Sequence, residues 1–326
     1  MAGDLRVAIL GCGLAAGLGN DETVWSHPRA IAELAGLRLA LAFDPDAARL
    51  AAFCAQWGCV AAESPESLLG QGPDILLICA PTSLHEHYLS AALAAGITTV
   101  VCEKPLVGDA DTARRLVKAY GAAGHSLYVY YPRRWIGAVR ELAAEIAAGS
   151  WGQPLGFHGW YGKGVLTIGC HSIDLIRMLL GPAVRVMALD RPVGGTAPGE
   201  LTPDIRLGLA SGVSGLLQSY DYSRYALTDL DLLFEEGRVR LTDLGFRIQR
   251  WRRVPSPHFA GFFELASEGP AETDYARAAL GLWRRVRDSH GGAPVVDDGD
   301  CLSLGVIDAV ARSLQTGREE NVHSGD

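Results

Sequence analysis

No apolar run in this 326-residue chain reaches the roughly 18 to 20 uninterrupted residues that a membrane span needs. Positive charge is in deficit: 29 basic side chains stand against 37 acidic ones, a net of −8, which argues against a nucleic-acid partner and suits a soluble protein. The pairs Arg133-Arg134 and Arg252-Arg253 are too short to form a basic face. The opening MAGDLRVAILGCG carries one arginine and runs straight into a glycine turn, which does not read as a cleaved leader. No two of the seven cysteines (12, 54, 59, 79, 102, 170, 301) show CxxC spacing. Their odd number and their apolar settings, ILLICAP and TTVVCEKP among them, fit reduced, buried thiols in a cytoplasm better than a disulfide framework. Cys170 and His171 are adjacent, and His85 and His87 are two apart, so on a helix neither pair converges on an ion; no metal is expected.

What is present is a strong alternation of elements. LRVAIL breaks into GCGLAAG, LRLALAF (37–43) ends at DPD before the helical DAARLAAFCAQWG, and DILLICAP (74–81), ITTVVCEKP (97–105) and SLYVYY (126–131) are further strands. A helix spans about 84–95. Strands separated by helical segments of this length call for right-handed crossovers and a parallel sheet, so the first part of the chain, 1–125, reads as a Rossmann-type doubly wound α/β domain. After the helical RRWIGAVRELAAEIAAGSWG the texture changes: 153–161, 184–190, 204–210, 213–220, 227–236 and 238–251 are alternating or β-rich runs joined by short turns. They predict an α+β domain over 126–326 with an open, mostly antiparallel sheet. The Pro/Gly-rich stretches 191–204 and 254–272 read as linkers or surface loops. A terminal amphipathic helix over about 297–316 is expected to pack back on the first domain.

Three motifs carry chemistry. Gly11-Cys12-Gly13-Leu14-Ala15-Ala16 matches GxGxxA after the first strand: Gly11 permits the tight turn, Gly13 lets backbone approach a pyrophosphate, Cys12, Leu14 and Ala15 complete the loop, and the small Ala16 lets helix and strand pack closely. Asp44, at the tip of the second strand, suits the ribose hydroxyls of NAD and would repel the 2′-phosphate of NADP. The spacing between Gly13 and Asp44 exceeds the usual ~20 residues, and the surplus lies in 17–30, an enlarged loop near the cofactor. APTSLHEHY (80–88) follows the third clear strand, where open α/β sheets bind ligands, so Ala80, Pro81, Thr82 and His85 are read as cofactor-facing and His87 as solvated. In VVCEKPL, Glu103 and Lys104 place charge at the end of a buried parallel strand, which is costly unless the groups are paired or used. An ammonium there can polarise or protonate a substrate oxygen.

The motifs GCGLAA, APTSLHEHY, CEKPL, YYPRRW and GVLTIGCHSIDLIRMLLG, in this order, resemble the glucose-fructose oxidoreductase, inositol dehydrogenase and MocA family (Gfo/Idh/MocA), and the similarity extends to the terminal GDCLSLGVIDAVARSLQTGR. The resemblance implies an NAD(P)-binding first domain, a second domain whose open sheet forms homo-dimers or homo-tetramers, and sugar, sugar-nucleotide or cyclitol substrates. It implies that His171 and Lys104 exchange the proton of the hydroxyl being oxidised. Read alone, His171 would pass first for a packed core histidine. Many family members carry aspartate four residues before that histidine, where this chain has Thr167, which can hydrogen-bond but cannot take up charge. Either Tyr161, Lys163 or a substrate oxygen takes its place, or the reaction departs from simple dehydrogenation. Asp174 is a second candidate to orient the ring. Of Arg133 and Arg134, one is expected to meet a substrate phosphate or carboxylate and the other to serve the cofactor side or a structural ion pair.

The reading is therefore an NAD-dependent oxidoreductase, NADP being the lesser cofactor, acting on a secondary hydroxyl or ketone of a sugar-type substrate in the cytoplasm. Two rivals stay open: a bound-NAD enzyme without net redox, performing epimerisation, elimination or glycoside cleavage, and a non-catalytic NAD-binding sensor.

Overall fold

The computed structural model describes residues 3–17, 26–191 and 193–323, and the chain divides into two compact units. The first comprises residues up to Trp135 and returns over Ala276–Cys301; the second comprises Ile136–Tyr275 and continues from Leu302.

The first unit runs β1 (Leu5–Leu10), α1 (His27–Ala32), β2 (Leu37–Phe43), α2 (Ala47–Trp57), β3 (Val60–Ala61), α3 (Pro65–Gly70), β4 (Ile75–Ile78), α4 (His85–Ala94), β5 (Thr99–Glu103), α5 (Ala110–Ala123) and β6 (Ser126–Tyr130). Its strands pair in parallel in the order β3-β2-β1-β4-β5-β6. This is the doubly wound order, whose reversal between β1 and β4 opens a crevice at the carboxyl ends of the strands. The helices follow local rules. Asp46 caps α2 by accepting from Arg49 N at 3.0 Å, and Gly58 ends it at φ 68°; Asp109 and Gly124 do the same for α5. The central strands are apolar on both faces because both are covered.

The second unit begins with α6 (Gly137–Ala147), β7 (Pro154–Tyr161), α7 (Cys170–Leu180), β8 (Ala183–Leu189), β9 (Asp204–Leu209), β10 (Ser214–Ser219), β11 (Leu230–Phe234), β12 (Gly237–Thr242), β13 (Arg247–Pro255) and β14 (Phe263–Glu272). The chain then enters the first unit as α8 (Ala278–Ser289), and α9 (Gly299–Thr316) and β15 (Glu320–Asn321) complete the second unit. The nine strands lie in the order β14-β13-β12-β11-β7-β10-β9-β8-β15. Every pair is antiparallel except β7 with β10. Inward residues alternate with outward ones: Ile205, Leu207 and Leu209, or Leu230, Leu232 and Phe234, are buried while their neighbours are not. Helix α7 buries nine of its eleven residues, His171, Ser172 and Asp174 among them.

Three expectations are corrected here. The units do not divide at 125/126, because residues 126–130 form β6, the last strand of the parallel sheet, and 276–301 return to that unit. Helix α8 is the segment that packs back: Leu282, Trp283 and Val286 join Ala30, Ile31, Val7 and Ile9 in one core. All but the first three residues of α9 belong to the second unit, where Arg177 Nη1 reaches Ser303 Oγ at 2.9 Å and Ser313 Oγ accepts from Ala188 N at 2.9 Å. The expected linker 254–272 contains a ten-residue strand, β14; it escaped notice because nearly all its residues are exposed, leaving no alternation to read.

Candidate active site

The glycine turn follows β1 directly. Gly11 stands at φ +94°, and a Cβ there would lie 2.7 Å from backbone atoms of Cys79 and Ala80, so no other residue fits. At Gly13 a Cβ would meet nothing within 4 Å. Among the described residues no packing demands glycine at 13, and the bare backbone there is open to approach, as contact with a pyrophosphate requires. Gly11 N–H donates to Phe43 O (2.9 Å) and Cys12 N–H to Asp44 Oδ2 (2.9 Å). Leu14, exposed, begins the short 3₁₀ turn Leu14–Ala16. The Ala15 side chain and residues 18–25, most of the expected loop, lie outside the described residues.

Asp44 is buried and heavily engaged. Besides Cys12 N, it accepts from Asp46 N at 2.9 Å and from Arg49 Nη1 at 3.1 Å. It therefore pins the glycine turn to β2, and an approaching 2′-phosphate meets an ion pair instead of a bare carboxylate. The Cys12 thiol is pushed up to about 12, first by burial and then by Asp44, so it is a neutral thiol at neutral pH and no nucleophile.

Beyond β4, Pro81 is exposed and Ala80 and Thr82 are half-buried. His85 corrects its assignment as a cofactor-facing residue: it is buried, with Nδ1 at 2.9 Å from Pro105 O and Nε2 at 2.8 Å from Ala80 O. It ties the 80–82 turn to the turn after Lys104. His87 is exposed, as expected.

At the end of β5, the Glu103 carboxylate accepts from Lys104 N (3.2 Å) through Oε2 and faces His27 Nε2 (3.2 Å) through Oε1. Trp283 Nε1–H donates to His27 Nδ1 at 2.9 Å. An indole only donates, so Nδ1 must accept; the ring proton sits on Nε2 and is given to Glu103. Cys79, His27 and Glu103 lie close enough to surround an ion, but a cation at Nε2 would have to displace that proton and flip the tautomer against Trp283. After β6, Arg133 is buried and Arg134 pairs with Asp297 at 3.1 Å. Asp300 accepts from Leu106 N at 2.9 Å and from the Tyr131 hydroxyl, fixing the chain just past Lys104-Pro105.

In the second unit, β7 ends at Tyr161 and the chain turns through Lys163, exposed at φ 66°, and Gly164, at φ 145°, into one π-helical turn, Val165–Gly169. Such turns place side chains off the regular helical path and are frequent at functional sites. Gly169 N–H closes the turn on Gly164 O at 3.0 Å, and α7 follows with His171 and Asp174 both buried. Tyr161 is buried and its hydroxyl donates to Pro203 O; burial, then the Asp204 and Glu200 carboxylates, hold its pKa above the ordinary phenol range. It fastens a loop and keeps its proton. Thr167 Oγ1 donates to Glu200 Oε1, and Leu166 N donates to Glu200 Oε2 at 3.0 Å.

Four residues in these networks escaped the sequence: His27, Trp283, Asp300 and Glu200. Each acts across a long separation from a segment without a motif. Only the Ser26-His27-Pro28 helix start and the GDC that opens the terminal helix offered a local hint.

The family described as "Oxidoreductase family, NAD-binding Rossmann fold" matches residues 5–131. The chain is 30% identical over 227 residues to inositol 2-dehydrogenase 4 of Saccharopolyspora erythraea, an alignment covering 64% of this chain and 65% of that protein. The chain thus spans just under two thirds of that relative. It is 27% identical to an inositol 2-dehydrogenase of Mycolicibacterium smegmatis, over 90% of this chain and 96% of that one. In three dimensions it is similar to the WlbA dehydrogenase of Bordetella pertussis, solved with NADH and UDP-GlcNAcA, with a TM-score of 0.79 at 22% identity over 99% of both chains. At that identity the likeness is one of fold.

Proposed function

We propose that the chain belongs to the Gfo/Idh/MocA oxidoreductase family, as the match of residues 5–131 and its inositol 2-dehydrogenase relatives support, and that it is an NAD-dependent dehydrogenase of a secondary hydroxyl on a cyclitol or sugar. The observation that carries this reading is the carboxyl edge of the parallel sheet, where the open backbone at Gly13, the Asp44 pin and the Glu103-Lys104 pair stand at the ends of β1, β2 and β5. Backbone at 11–15 would hold the pyrophosphate, and Asp44 with Arg49 would face the adenosine ribose. NAD, when bound, supplies the hydride acceptor. Lys104 offers its ammonium to the substrate oxygen as charge develops there, and His171 takes the hydroxyl proton. Arg133, Lys163 and Asp174 are the candidates for substrate contact or ring orientation. The inositol 2-dehydrogenases among its relatives make myo-inositol the first compound to test.

The same reading puts the enzyme in the cytoplasm, in keeping with its seven free cysteines, and has two or four copies associate through the nine-stranded sheet. Among the described residues no helix is long and apolar enough to cross a membrane.

The test is NADH formation by purified protein given NAD and a panel of myo-inositol, its isomers, hexoses and UDP-sugars. Turnover of one class supports the reading. Binding of NADH with no turnover across the panel removes the dehydrogenase assignment, and product without NADH moves it to the class with no net redox.

A further inference from the structure

Residues 193–203 belong to a long connection that is stitched to the turn before α7 at several points. Ala197 N–H donates to Lys163 O at 2.7 Å, and Val165 N–H donates to Leu201 O at 2.8 Å. Between these two bonds the Glu200 side chain reaches in, accepting from Leu166 N and from the Thr167 hydroxyl. Gly164 makes the approach possible, because a Cβ there would overlap the Glu200 carboxylate. A carboxylate has thus been built into the turn by a loop thirty-three residues away, with a position in the chain cleared for it.

The direction of the bond matters. A threonine hydroxyl has one proton and two lone pairs; with the proton given to Glu200, Oγ1 can only accept from any other group. Thr167 is four residues before His171, at the spacing that puts two side chains on one face of a helical turn. A hydroxyl polarised by a carboxylate presents more negative charge on its oxygen than a free one, since chained hydrogen bonds strengthen each other. We propose that Glu200 is a positioning residue for His171: paired with Thr167, it holds negative charge at the turn that leads into the helix carrying the imidazole and favours the imidazolium that forms when His171 takes the substrate proton. Glu200 and Thr167 keep their own protonation throughout; the substrate proton rests on His171 and the hydride goes to NAD. This rests on the reading of His171 as the proton acceptor.

The other ionisable groups on the elements around this corner are His158 and Tyr161 on β7, Lys163 on the turn, Cys170, Asp174 and Arg177 on α7, Asp204 and Arg206 on β9, and Arg140, Glu141 and Glu145 on α6, which packs against α7. They are unchanged in the variants below, so a difference isolates Glu200. The experiment follows the ring resonances of His171 with pH by NMR, assigned by their loss in His171→Asn, in the wild type, Glu200→Gln, Glu200→Ala and the double variant Glu200→Ala/Thr167→Asp. Loss of the carboxylate lowers the titration midpoint of His171 by about half a unit or more, in the sense expected for removing a nearby negative charge. The double variant, which carries its carboxylate on the turn itself, returns the midpoint to within about 0.2 units of wild type. With a substrate found by the panel, kcat falls about tenfold or more in Glu200→Gln while KM stays within about threefold, and the double variant recovers most of kcat. A midpoint that does not move in folded Glu200→Gln, or a double variant that restores neither midpoint nor kcat, makes Glu200 a loop fastener and overturns the proposal. If the panel yields no substrate, the dehydrogenase reading fails by itself and the NMR midpoint still decides the role of Glu200.

Discussion

Two carboxylates do comparable work in the two units, and they differ in how they come to do it. Asp44 pins the glycine turn of the first unit by accepting from Cys12 N; Glu200 pins the π-helical turn of the second by accepting from Leu166 N. Asp44 stands at the end of β2, which lies beside β1 along its whole length, so topology alone brings it to the turn. Glu200 hangs from a connection without regular structure and is held by bonds that no strand order imposes. The first pin follows from strand order, and the second from bonds local to its loop.

The comparison is tested most severely at the two glycines. Gly11→Ala sets a methyl against backbone that cannot yield, and is expected to cost about 3 kcal/mol or more in chemical denaturation and to abolish NADH binding. Gly164→Ala sets one against the Glu200 side chain, which can swing away, so about 1 to 3 kcal/mol is expected, with NADH affinity retained. Equal costs would mean that the second pin is as integral as the first.

Next in size are the proposed reacting groups, one in each unit. Lys104→Met and His171→Ala should each lower turnover on the true substrate at least about a hundredfold while NADH titration changes little. Full activity in both would remove the proposed mechanism from both units.

A smaller effect sharpens the account of the first unit. Trp283→Phe leaves the buried Nδ1 of His27 without the indole proton and should cost about 1 to 2 kcal/mol, with faster amide exchange at Lys104 N–H because the Glu103 carboxylate is no longer held. Unchanged exchange there would confine Trp283 to packing.

The smallest effect separates the units by pH. The thiols of Cys12, Cys59, Cys79, Cys102 and Cys301, all in the first unit, are raised above their ordinary value mainly by burial. An acid whose folded pKa is raised stabilises the fold fully below its unfolded pKa, near 9, and that stability is lost as pH climbs toward the folded value, about 12 for Cys12. Hydrogen exchange at pH 10 should therefore show the first unit loosening before the second. The opposite order would contradict the burial argument.

How much of this was legible follows the same division. The parallel sheet, the turn at Gly11–Gly13 and the placement of Asp44 and Lys104 at strand ends could be read because doubly wound sheets bring successive strand ends to one edge, and each signal is local. Strand β14 could not be read, since an exposed edge strand carries no alternation. The assignment of His85 to the cofactor failed because a histidine after a strand end looks the same whether it faces outward or, as here, turns inward onto Pro105 and Ala80 carbonyls.

By itself, then, the sequence determined the class of fold and which short motifs could do chemistry, because backbone pattern, glycine turns and strand ends are properties of neighbouring residues. Only the tertiary structure decided which groups complete those motifs. His27 reaches Glu103 across 76 residues, Trp283 reaches His27 across 256, and Glu200 reaches Thr167 across 33. A hydrogen bond has no sequence signature when its partners meet only after the chain has closed on itself.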